Sequence, residues 1–101
     1  MKSYQESLME ALKDPEEAAA YLNAALEEGD RFMFLVALKN VTEANGGMSW
    51  LSQKLKLNRA NLYRMFRKQG NPKIGTLTHI LKAFGLRLAV APRSKQHKKA
   101  A

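Results

Sequence analysis

The chain has no cysteine, only three prolines, and no acidic residue after Glu43. Without cysteine there is no disulfide framework, thiol nucleophile or thiolate metal site. The longest apolar run, Phe32 to Leu38, is seven residues, far short of the roughly 20 that cross a bilayer. The opening Met1-Lys2-Ser3-Tyr4-Gln5-Glu6 lacks the apolar core of a secretion signal. A cytoplasmic protein with no membrane partner is therefore expected. Histidine is almost as scarce. His79 falls inside an apolar helical pattern and His97 in a polar tail, and neither has a companion ligand nearby, so no metal or cofactor is expected. Ser49 and Ser52 have no base at a usable spacing, which leaves no catalytic constellation and makes an enzyme the least supported class.

The missing acid is the most informative absence. Residues 1–47 carry nine Asp/Glu and four Lys/Arg, a net of −5, whereas residues 48–101 carry thirteen Lys/Arg and no Asp/Glu, a net of +13. Such a split suggests a back half that meets a polyanion and a front half with another task. With 101 residues and 46% apolar content, the chain has the makings of one domain around one core.

Helix punctuation is legible along most of it. Asp14 can cap a helix that Pro15 opens and Glu16 and Glu17 favour electrostatically, and Gly29 can stop it. Ala18, Leu22, Ala25 and Leu26 share one face of that helix, with Tyr21 beside them. Asp30 caps a second helix through the apolar stretch 32–38, ending near Gly46-Gly47. A short helix follows over 48–56, then a turn at Leu57-Asn58, then a helix from Arg59 to about Lys68 with Leu62, Met65 and Phe66 inward. Gln69-Gly70-Asn71-Pro72 reads as a loop. A fifth helix, about 75–83, turns Leu77, Ile80 and Leu81 inward and stops at Gly85. Leu86, Leu88 and Val90 then alternate with Arg87, Ala89 and Ala91, the pattern of a strand over about 86–91. Residues 1–13 stay open between helix and flexible segment, and residues 93–101 read as a flexible basic tail. The expected fold is all-α, a bundle of about five helices with one short C-terminal strand, its domain spanning residues 14–92.

Residues 48–68 fit the helix-turn-helix plan, in which the second helix enters the major groove. Its outward positions are Arg59, Ala60, Asn61, Tyr63, Arg64, Arg67 and Lys68; Ser49, Lys54, Lys56 and Asn58 flank them. Arginine pairs with guanine, asparagine with adenine, and alanine permits close approach. A cationic helix face is ordinarily just a solvated one, but such faces interleave both signs. This one has no carboxylate to offset it. The eleven residues named here form the expected DNA-contacting set.

The run from Gly46 to Arg64 resembles the helix-turn-helix of lambda-repressor-like (Xre-type) proteins. More narrowly, Asp14-Pro15-Glu16-Glu17-Ala18, Tyr21-Leu22, Leu26-Glu27-Glu28-Gly29-Asp30, Leu62-Tyr63-Arg64, Gly70-Asn71-Pro72 and Lys82-Ala83-Phe84-Gly85-Leu86-Arg87-Leu88 resemble the HigA-like addiction-module antidote proteins. The resemblance implies an antitoxin that neutralises a RelE/HigB-like toxin and represses its own operon as a DNA-binding dimer. Met48 stands where many such domains carry glutamine. Lys56 stands where the turn often carries glycine, so the turn requires a left-handed lysine or another geometry. Trp50 takes an outer position, from which it can pack against the N-terminal helices.

A homodimer is expected on double-stranded operator DNA, its recognition helices about 34 Å apart. Leu86, Leu88 and Val90 are the expected dimer contacts, since a lone strand needs a partner. Tyr4, Leu8, Leu12 and Tyr21 are the expected toxin contacts, from the opposite charge and amphipathic start of the front half. A stand-alone phage-type repressor without a toxin, and a nonspecific basic RNA-binding protein, are the alternatives.

Overall fold

The computed structural model describes residues 2–93. Six helices follow in order: α1 (Tyr4–Ala11), α2 (Pro15–Glu27), α3 (Arg31–Ala44), α4 (Gly47–Leu55), α5 (Arg59–Met65) and α6 (Ile74–Ala83). The expected basic tail lies almost wholly outside the described residues.

Side-chain caps start four of the six. Asp14 Oδ1 accepts from the Glu16 N–H at 3.0 Å, Asp30 Oδ1 from the Phe32 N–H at 2.8 Å, and Asn58 Oδ1 from the Ala60 N–H at 2.7 Å. Each satisfies an N–H that the first turn leaves without a helical partner. The fourth settles the open N-terminal segment. Ser3 Oγ accepts from the Glu6 N–H at 3.1 Å while Glu6 Oε1 accepts from the Ser3 N–H at 2.9 Å. This is a reciprocal capping box, so the bundle has six helices where about five were expected.

The core is built around α3. Leu35, Leu38 and Val41 are fully buried at its centre. Leu12, Ala18 and Leu22 reach them from α1 and α2, Met48 and Leu51 from α4, and Leu62, Phe66, Ile80, Leu81 and Phe84 from the C-terminal half. Each large apolar side chain buried in this way contributes about 1.5–3 kcal/mol. Asn45 ties the corner by donating from Nδ2 to the carbonyls of Leu12 (3.0 Å) and Val41 (2.8 Å). Among the described residues no buried side-chain nitrogen or oxygen lacks a partner.

The expected strand over 86–91 does not form; among the described residues there is none. The first residue of the segment is taken by the helix before it. Gly85, at φ 78°, donates to the Lys82 carbonyl at 3.0 Å, and Leu86 donates to the Leu81 carbonyl at 2.8 Å. That pair of bonds is a Schellman stop. Leu86, Leu88 and Ala89 then line a shallow groove of about 160 Å3 with Ala19, Leu22 and Phe34. Contact with α2 and α3, not a ladder, organises the segment. Val90 has no such contact and is wholly exposed.

Candidate nucleic-acid interface

Helix α4 is anchored from below. Met48, where glutamine is common in the resembling domains, is 3% exposed and belongs to the core with Leu51. Ser52 is also buried, its hydroxyl donating to the Ser49 carbonyl at 2.9 Å. Trp50 finds its ring partner in the C-terminal half: it stacks on Phe84 just after α6, ring centroids 5.9 Å apart and planes 26° from parallel. The Lys54 ammonium lies 6.0 Å from the centre of the same indole.

The turn contains the left-handed lysine. Lys56 has φ 57° and ψ 42°, and is the one described non-glycine residue with positive φ. Its N–H donates to the Gln53 carbonyl at 3.3 Å, and the Leu57 N–H to the Ser52 carbonyl at 2.9 Å. The stop after α6 is repeated here with lysine in the glycine position. Two residues later Asn58 caps α5, accepting also from the Asn61 N–H at 3.2 Å. Its carboxamide oxygen is therefore engaged with the backbone, and Asn58 orients α5 while only its NH2 points free.

Helix α5 ends at Met65, short of the expected Lys68. The reason is Gly70, which is buried against the helix end and whose N–H donates to the Arg67 carbonyl at 2.8 Å. A Cβ there would lie 1.9 Å from the Met65 carbonyl oxygen, so the chain turns back over the last residues of α5 only because position 70 is glycine. Arg67 and Lys68 sit on that exposed turn instead of on the helix. Leu62 and Phe66 face inward, at 1% and 7% exposure.

Ser49, Lys54, Lys56, Asn58, Arg59, Ala60, Asn61, Tyr63, Arg64, Arg67 and Lys68 are all exposed. Within α5, Arg64 Nη1 donates to Asn61 Oδ1 at 2.9 Å, and the Arg59 guanidinium lies 5.9 Å from the centre of the Tyr63 ring. These pairings hold the long side chains extended along the helix. Among the described residues the one ion pair is Lys2–Glu10 in the front half, so no carboxylate neutralises the cations around α5.

Two concave surfaces extend the set. One, of about 480 Å3, lies among Asn61, Arg64, Arg67, Gln69 and Asn71. The amides of Gln69 and Asn71 went unassigned because their stretch reads only as a loop; their place beside Gly70 was the available signal. The other, about 420 Å3, brings Lys54 and Lys56 to His79 and Lys82 of α6. His79 and Lys82, three residues apart, share a helical face, which could have flagged Lys82. Guanidinium, ammonium and carboxamide groups with no carboxylate among them can grip phosphates and pair with base edges.

In the front half, Tyr4 is 79% exposed, whereas Leu12 is 2% exposed and part of the core. Leu8 and Tyr21 are half-buried, and Asn40 Nδ2 donates to the Tyr21 hydroxyl at 2.9 Å. Of the four residues expected to meet a toxin, Leu12 is thus taken up by the core, while Tyr4, Leu8 and Tyr21 keep exposed or half-exposed surface. Among the described residues no three potential metal ligands of His, Asp or Glu come together, and no helix is long and apolar enough to cross a membrane.

Comparison with known proteins bears on the whole chain. A Haemophilus influenzae protein, described only as uncharacterized, is 32% identical over 81 residues, which is 80% of this chain and 82% of that protein. No solved structure matches. A family model described as "probable addiction module antidote protein" matches residues 2–92, nearly the whole of the described structure. The chain thus belongs to the family of probable addiction module antidote proteins.

Proposed function

We propose that the protein is the antitoxin of a type II toxin–antitoxin module, which binds and neutralises a RelE/HigB-like toxin and represses its own operon by sequence-specific DNA binding. The observation that carries the DNA half is the exposed face of α5, capped at Asn58 and surrounded by cations with no carboxylate among them. In this reading α4, turn and α5 act as a lambda-repressor-like helix-turn-helix. Lys54, Lys56, Arg67 and Lys68 hold phosphates and set the register, while Arg59, Asn61, Tyr63 and Arg64 address base edges. The Asn61–Arg64 bond and the Arg59–Tyr63 stacking give way to base contacts on binding. A homodimer presents two such helices to a palindrome, with exposed Leu88 and Val90 available as apolar contacts. Membership of an antidote family supports the toxin half, and the protein acts by binding, with no reaction of its own.

Footprinting on the protein's own promoter at physiological salt tests the DNA half. The expected result is a protected palindrome. Arg64→Ala should relax preference at one base position by the equivalent of about 1–3 kcal/mol. Equal protection of arbitrary DNA, or binding that follows charge alone, would favour the nonspecific RNA-binding alternative. Co-expression with the product of the adjacent reading frame tests the toxin half: growth arrest by that product, relieved by this chain, is expected. A harmless neighbour beside a protected palindrome leaves a stand-alone repressor.

A further inference from the structure

The front half carries a groove that the DNA reading leaves without a task. It runs between α2 and α3, measures about 250 Å3, and is floored by Tyr21, Ala24, Ala25, Met33 and Val36 with Glu28 at its edge. Met33 is 47% exposed, Ala24 is exposed, and Tyr21, Ala25 and Val36 are half-buried. The bond from Asn40 fixes the Tyr21 ring at 2.9 Å, so the floor is shaped in advance. Glu17 lies one turn before Tyr21 on α2, and Glu43 two turns after Val36 on α3, each on the groove-facing side of its helix. Residues 14–44 contain seven acidic and two basic side chains.

An apolar floor under an acidic rim has a definite chemistry. The volume falls below the roughly 300–1,000 Å3 of a small-molecule site. It suits a few apolar side chains from a facing helix, spaced one turn apart. Phosphate would be repelled by the rim, which removes nucleic acid as the occupant. A second copy carries its excess of positive charge in its back half, most of it on and around α5, so docking that charge here would compete with the α5 surface. A basic protein of another sequence meets neither objection.

On the antitoxin reading above, we infer that the α2–α3 groove is the docking site for the toxin. It takes the apolar face of a basic amphipathic segment, with the segment's Lys or Arg set over Glu17, Glu28 and Glu43. Apolar anchors supply the hold; the rim supplies partner choice and association rate.

The test uses the full chain and, as probe, the purified product of the adjacent reading frame. Ala24→Arg and Met33→Arg, one on each wall, should each weaken capture by about tenfold or more. Glu17→Lys with Glu28→Lys should slow association and reduce its dependence on salt. Melting and the operator footprint should stay at parental values in the two arginine variants, and the operator footprint should do so in the double lysine variant, whose α2 loses a favourable carboxylate from its first turn. Undiminished capture by folded Ala24→Arg and Met33→Arg chains would overturn the groove while leaving the antitoxin reading in place. If the parent chain itself fails to capture the probe, both are overturned. A change in the sedimentation of Ala24→Arg alone would assign the groove to a second copy and overturn toxin docking.

Discussion

Replacing Lys56 by glycine should stabilise the protein and, on the function proposed above, weaken its hold on DNA. The residue closes α4 at φ 57°, where a Cβ crowds the following carbonyl at a cost of roughly 1–2 kcal/mol. Glycine removes that crowding but gives the unfolded chain more freedom, which costs about 0.5–1 kcal/mol. The difference leaves about 0–1.5 kcal/mol of stabilisation, which at its midpoint is roughly 3–6 °C in Tm for a domain of this size. The stop after α6 already has the glycine solution, at Gly85 with φ 78°. If Lys56 also neutralises a phosphate, its loss should reduce the slope of log K against log salt by about 0.9. Thermal unfolding and salt-dependent operator binding measure the two effects on one variant. Lys56→Ala separates them, because it loses the charge and keeps the crowded backbone: the slope should change and Tm should not rise. A lower Tm for Lys56→Gly would refute the reasoning, since the left-handed turn would then carry no strain for glycine to relieve.

Gly70→Ala should destabilise by about 3 kcal/mol, the upper end for overpacking, in urea titration, because its Cβ would meet the Met65 carbonyl oxygen at 1.9 Å. Gly75→Ala, in open space within α6, should instead stabilise by roughly 0.5–1 kcal/mol. Asn58→Ala removes both bonds that cap α5. It should cost about 1 kcal/mol in thermal unfolding and weaken all DNA sequences alike, whereas a base-reading role would show as a change in preference. Leu12→Ala should lower stability by about 2–5 kcal/mol. Tyr4→Ala, on the exposed start of α1, should stay within about 0.5 kcal/mol of the parent by the same measurement.

What could be read in advance was what a few neighbouring residues decide. Asp14, Asp30 and Asn58 each bond an N–H two residues ahead, so their caps are visible in the sequence. Leu62 and Phe66 lie inward as their spacing requires, and all eleven residues expected to meet DNA lie outward. The Ser3–Glu6 capping box is equally local, and it decides for helix in a segment whose apolar spacing alone leaves helix and flexible chain open. The remaining differences depend on distant partners. The alternation over 86–91 describes a strand only if another strand exists to complete its bonds. In its place α2 and α3 offer a groove, and the segment follows that. Nothing around Trp50 points to Phe84, and nothing within α5 shows that Gly70 will fold back and end it at Met65. Leu12 differs for the same reason, because it shares a helical stripe with Tyr4 yet is drawn into the core by α3.

The join between the acidic and basic halves is a fixed corner. Gly46 and Gly47 turn the chain at φ 127° and 87°, and a Cβ on Gly46 would lie 2.9 Å from the Trp50 ring. Beyond the corner, Met48 and Leu51 share the core with Val41 of α3, so the halves cannot swing apart like beads on a tether. Whatever settles on α2 and α3 is therefore carried at a constant offset from whatever α5 touches. On an operator with several sites, the spacing between them would decide whether loaded neighbours clash or nest. On the function proposed above, a partner held on α2 and α3 and DNA held on α5 would then influence each other through spacing alone, with no change of shape in the protein.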